Sequence, residues 1–168
     1  MLELIDELRE LEFTVALMTG GGTEFVRAIT QDLYGVPPEL VVGTLIDYDF
    51  GRPADGSPGL TRTAQLQSPV NEDTAKISLN QGQLGRRPIM AAGNSGGDRE
   101  MLEWASVGDG PNLALLIDHD DAEREFRYVS TALSSPRTSR SPTSATVSAG
   151  PSSAWPATGA RSSSRSRV

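Results

Sequence analysis

Apolar residues recur at helical spacing at Leu4, Ile5, Leu8 and Leu11, with Glu3, Asp6, Glu7, Arg9 and Glu10 on the opposite face. The run from Phe13 to Met18 then reads as a strand ending at Thr19-Gly20-Gly21-Gly22. Thr23 is placed as the N-cap of a second helix, whose apolar face is Phe25, Val26, Ile29 and Leu33. Gly35 and then Pro37-Pro38 stop that helix. Val41-Val42 opens another short strand, and Gly51, Pro53, Gly56, Pro58 and Gly59 predict hairpins or loops across 47–75. A short apolar run over 88–92 reads as a buried strand. It breaks into a glycine-rich turn holding Asn94, Ser95 and Asp98, after which Met101, Leu102 and Ala105 resume helical spacing. Asn112 to Ile117 is a further apolar strand, and Asp120 to Tyr128 is expected to form a short helix.

Strands and helices therefore alternate, and several strands are apolar without the alternation of a half-exposed sheet. That pattern predicts an α/β protein with a mostly parallel sheet covered on both faces, a Rossmann-like three-layer α/β/α arrangement. No internal repeat is visible.

Charge divides the chain in two. Residues 1–129 carry ten Lys and Arg against all 22 Asp and Glu, a net of −12, whereas 130–168 carry five Arg and no acid, a net of +5. The second segment is rich in Ser, Arg, Pro and Ala, and its apolar residues follow no period. It cannot bury enough surface to offset its ordering entropy, so 1–129 is expected to be the folded core and 130–168 a disordered tail. The acidic body argues against nucleic acid, whose phosphates demand clustered cations. The absence of cysteine excludes disulfides and thiolate metal sites. No signal-peptide pattern and no apolar run near 18 residues is present, which predicts a cytoplasmic chain with no membrane partner. Nothing in the pattern fixes an oligomeric state.

In an open α/β sheet, ligands sit in the turn beyond the carboxyl end of a strand. The oxygen-bearing side chains of 94–98 suit a hard cation or a phosphate there. Ser95-x-x-Asp98 also matches a helix capping box, Gly20 to Gly22 also suits a plain strand-to-helix turn, and Lys76 taken alone reads as an ordinary surface lysine. His119, the only histidine, is read as part of a solvated strand-to-helix loop. Gly20-Gly21-Gly22-Thr23 is not a Walker loop, because no Gly-Lys-Ser/Thr follows.

Four pieces in order resemble the haloacid dehalogenase-like (HAD) hydrolases of the phosphoserine-phosphatase type. They are Leu4 to Met18 with Thr19-Gly20-Gly21-Gly22, the stretch Tyr34 to Gly43, the stretch Asn71 to Lys76, and Arg86 to Trp104 with its glycine-asparagine-serine turn. Leu113 to Tyr128 resembles the closing strand and helix of that family. The resemblance implies a phosphomonoester phosphatase acting on a small phosphorylated metabolite through an aspartyl-phosphate, with Mg2+ as cofactor. It implies that Thr19 and the Gly20 and Gly21 amides hold the phosphoryl oxygens, that Lys76 offsets charge, and that Asn94 and Asp98 supply or orient the Mg2+ ligands. Such roles are chemically coherent, since phosphoryl transfer is catalysed mostly by positioning and electrostatic stabilisation.

The family's nucleophile lies in an Asp-x-Asp motif on a first strand ahead of Thr19, and residues 1–12 read as a helix instead. The expectation is therefore a core lacking its first strand and cap, inactive alone, with a tail that reads like a frameshift product. Asp47-Tyr48-Asp49 and Asp118-His119-Asp120 follow apolar runs but are not expected to be nucleophiles. Asn94 and Gly96 stand where relatives often have Asp, which implies weaker Mg2+ binding. The alternative is a noncatalytic remnant or protein-interaction module with the basic tail as a flexible tether.

Overall fold

A computed structural model describes residues 1–123 and 126–128. The expected tail, 130–168, lies outside them. Among the described residues the architecture is mixed α/β: four α-helices, two parallel strand pairs and one antiparallel hairpin. None of the helices among the described residues is long and apolar enough to cross a membrane.

Helix α1 spans Leu2–Glu10, with Ile5 as its buried residue. Its last turn overruns: the Leu11, Glu12 and Phe13 N–H groups return to the Glu7, Arg9 and Leu8 carbonyls, and Glu12 takes a positive φ of 63°. With those groups held by the helix end, strand β1 starts later than the apolar run predicts, at Leu17, and continues to Gly22. Its partner is the fully buried strand β2, Val41–Thr44, paired in parallel as Leu17 with Val41 and Met18 with Val42. The register then shifts before Gly22 meets Thr44, so Thr19, Gly20 and Gly21 bulge out of the ladder.

Helix α2, Thr23–Tyr34, connects the two strands. Gly22, not Thr23, occupies its N-cap. Thr23 instead donates its hydroxyl to the Thr44 carbonyl at 3.1 Å, so a sheet contact claims the oxygen that capping would have used. The inward face also differs from the expected apolar stripe. Phe25 and Leu33 are exposed, while Thr23 and Thr30 are buried. Arg27, on the same side, reaches the carbonyls of Pro38 and Val41. These polar anchors turn the helix away from its most apolar face. Gly35 ends it in the left-handed conformation with its N–H on Gln31, and the Arg9 guanidinium fills the space a Cβ would need.

The glycine- and proline-rich stretch forms the expected hairpin, β3 Ile46–Gly51 against β4 Gly59–Leu66, with Phe50 opposite Leu60 and both exposed. Helix α3, Thr74–Leu84, follows. Strand β5, Met90–Gly93, runs parallel to β6, Leu113–Leu116, and α4, Arg99–Ser106, connects them. Ala91, Met101 and Ala105 form a small core on this side, with Met18 and Leu102 packed against it. Met18 thus links the first parallel pair to the second.

The expected helix over 120–128 is not formed by its described residues. The Tyr128 N–H bonds the His119 carbonyl at 3.1 Å. Nine residues of helix would hold those groups about 13 Å apart.

Candidate functional site

The carboxyl ends of β1 and β5 face one cavity of about 280 Å3, lined by Met18, Thr19, Gly20, Glu72, Lys76, Ala92, Gly93, Asn94, Ser95 and Asp98. Five residues to which the resemblance assigns roles, Thr19, Gly20, Lys76, Asn94 and Asp98, therefore line one cavity. Gly21 stands outside the lining, with its N–H donated to Thr19 Oγ1 at 3.0 Å.

A polar lattice shapes the β1 side. Asn71 is fully buried and donates its side-chain amide to the Thr19 and Val42 carbonyls, both at 3.0 Å. Its backbone N–H bonds Thr44 Oγ1, which in turn donates to the Gly20 carbonyl at 2.7 Å. One side chain thus ties the bulge to both strands. Gly43 is required at the crossing: a Cβ there would lie 2.9 Å from Gly21 O, Thr19 Cγ2 and Thr23 Oγ1. At Gly20 a Cβ would sit 3.0 Å from the Glu72 carboxylate, so the missing side chain lets that carboxylate approach the loop.

On the β5 side Asp98 organises the turn. Its Oδ2 accepts the Asn94 N–H, the Ser95 N–H and the Ser95 hydroxyl, each at 2.9 Å. This includes the capping-box bond expected of Ser95-x-x-Asp98. Its Oδ1 accepts from the Lys76 ammonium, and both side chains are buried. Lys76 is therefore not a surface lysine. It lies in the first turn of α3, whose start is tied to the β5 turn by the Asp73 N–H on the Gly97 carbonyl at 2.9 Å. Gly93 makes room for the arrangement, since a Cβ there would come within 2.5 Å of Asp98 Cβ.

Burial alone would raise the Asp98 pKa. The Lys76 charge and hydrogen bond, with the bonds from Asn94 and Ser95, outweigh that effect and hold the carboxyl below its ordinary range.

The donor set fits Mg2+ in kind. Glu72, Asn94, Thr19 and Ser95 bring hard oxygens to one cavity, and Mg2+ is commonly held by one or two carboxylates plus substrate phosphate and water. One ammonium against two carboxylates leaves the lining acidic, which favours a cation. Both Asp98 oxygens already accept protein donors, so its part is to hold Lys76 and the turn. Among the described residues there is no group of three or more His, Cys, Asp or Glu that could hold a metal by itself.

Sequence reasoning missed two partners. Glu72 lines the cavity without any local signal of its own. His119, expected in a solvated loop, is half-buried instead. It lies 3.3 Å from Asn94 Nδ2 and is stacked on Tyr128. The expectation treated the acidic neighbours of His119 as the sign of a solvated loop, whereas its ring is placed by Tyr128, nine positions on. The four aspartates of the two decoy motifs, Asp47, Asp49, Asp118 and Asp120, are exposed and outside the cavity lining.

No protein-family model matches the chain, and no curated protein matches it.

Proposed function

We propose that the chain carries the phosphate and cation site of a HAD-type phosphomonoesterase on an incomplete Rossmann-like α/β/α core. The observation that carries this reading is the convergence of Thr19 and Gly20 from β1, Lys76 from α3, and Asn94 and Asp98 from the β5 turn on one cavity. The order and spacing of those residues in the sequence resemble the family's second, third and fourth motifs.

In this reading the Thr19 hydroxyl donates to a phosphoryl oxygen while its Oγ1 keeps the Gly21 N–H in place. Gly20, free of a side chain, lets the Glu72 carboxylate reach the cavity beside Thr19. Lys76 neutralises phosphate charge at the back of the cavity, its ammonium held by Asp98. Asn94 and Glu72 would hold Mg2+, which when bound supplies charge neutralisation and a template for phosphate oxygens. The substrate class is a small phosphorylated metabolite. The buried Asp98 carboxylate is committed to Lys76 and the β5 turn, and the aspartates of the two decoy motifs lie outside the cavity lining, so residues 1–168 are expected to bind phosphate without appreciable turnover.

Thermal unfolding of the full chain with Mg2+, with orthovanadate and with both tests the proposal. A midpoint that rises with the two together, and more than with either alone, supports it, since a ligand binding only the native state stabilises that state by mass action. A cooperative transition that neither ligand moves rejects it, as does Mg2+-dependent phosphatase turnover that survives Lys76→Met.

A further inference from the structure

The side chain of Asn94 is gripped from outside the cavity by two stacked rings. His119 follows β6, and Tyr128 folds back over it with ring centroids 4.3 Å apart and planes 19° from parallel. The Tyr128 N–H on the His119 carbonyl closes the loop at 3.1 Å. Asn94 Nδ2 then lies 3.3 Å from His119 Nε2 and 3.4 Å from the Tyr128 hydroxyl.

A carboxamide nitrogen carries two N–H groups and no acceptor. Nδ2 is the atom within reach of both rings, which leaves Oδ1 for the cavity that Asn94 lines. With Nδ2 as the donor, His119 serves here as the acceptor at Nε2. The orientation has chemical content. An amide turned by 180° would present N–H donors to the cavity and would repel a cation.

We infer that His119 and Tyr128 are positioning residues that fix the Asn94 carboxamide with its oxygen toward the cavity, so that this corner takes a hard divalent cation rather than an anion. The inference rests on the phosphate and cation reading of the cavity. Stacking adds to it by making the two acceptors one rigid unit, in place of two side chains with independent rotamers.

The Asn94 side-chain NH2 resonances of the full-length 15N-labelled chain, identified by their loss in Asn94→Asp, report the grip directly. His119→Leu should move both resonances toward those of a solvated amide and weaken their response to added Mg2+ about tenfold, the lower end of the effect of losing a partner that orients a metal ligand. His119→Gln, which returns an acceptor oxygen near the Nε2 position, should restore both. Tyr128→Phe should perturb one proton of the pair and leave the ring stack intact. Unchanged Asn94 resonances and an unchanged Mg2+ response in His119→Leu overturn the positioning role. A wild-type amide that ignores Mg2+ yet shifts in His119→Leu overturns the cation reading, and with it the role assigned to Oδ1, while leaving the hydrogen bonds themselves intact.

Discussion

The Lys76–Asp98 pair joins α3 to the β5 turn with both side chains buried, at 7% and 8% exposure, so its removal should be felt throughout the molecule. Losing one partner strands a desolvated charge, a change that costs about 3–5 kcal/mol in comparable pairs. Lys76→Met falls at the lower end, about 3 kcal/mol, because three donors still satisfy Asp98 Oδ2. Asp98→Asn keeps the shape and an acceptor but leaves the ammonium without a counter-charge, again about 3 kcal/mol. The double variant removes both charges and should cost well under the sum, giving a coupling of roughly 2 kcal/mol or more. Urea unfolding at neutral pH, followed by far-UV circular dichroism, measures all four corners of the cycle. Single costs below about 1 kcal/mol, or additivity within about 0.5 kcal/mol, would refute the argument that the pair is desolvated and mutually dependent.

Two further outcomes follow from the same geometry. Because the folded state holds Asp98 below its ordinary pKa, the pair's stabilisation is fully present above about pH 3.9 and is lost as pH falls through the lower folded value. Asp98→Asn should therefore flatten that acid limb in a pH series of urea midpoints, and an unchanged limb would assign it to other carboxylates. Gly93→Ala places a methyl 2.5 Å from Asp98 Cβ and 2.9 Å from its Oδ2. It should cost about 1–3 kcal/mol through overpacking and abolish vanadate-induced stabilisation, whereas wild-type ligand response in that variant would show that the turn can shift freely.

Where apolar residues face inward, the pattern reads true. Val41-Val42, the run into Gly93, Leu113 to Leu116, and the Met101 and Ala105 face of α4 all became the elements that their spacing predicts. Gly35 punctuates α2 as expected. Helix α3 was illegible for a definite reason: its two buried residues are Lys76 and Asn80, so its inward stripe is polar and hydrophobic periodicity cannot find it. The orientation of α2 went astray for a related reason, with Thr23, Arg27 and Thr30 facing the strands while Phe25 and Leu33 face out. At the cavity, the 94–98 turn was singled out because ligands sit beyond strand ends in α/β sheets, whereas Thr19, Gly20 and Lys76 were singled out only by the family resemblance, and all of them line it. Glu72 and the His119–Tyr128 stack were not legible, since their relevance comes from partners that only folding brings near.

The polar inner face of α3 has a thermodynamic consequence. The two parallel strand pairs are joined through Lys76–Asp98, through the Asn80 amide on the Met18 sulfur at 3.8 Å, and through Met18 on the Ala91 side. Heat capacity of unfolding grows with exposed apolar area and falls with exposed polar area. Parting the pairs along α3 would therefore raise the heat capacity less than melting either pair, because Lys76, Asn80 and Asp98 come into water alongside Met18. Such an opening would give only a small baseline step in a calorimetric scan, yet would leave its mark in the amide exchange of residues 71–84.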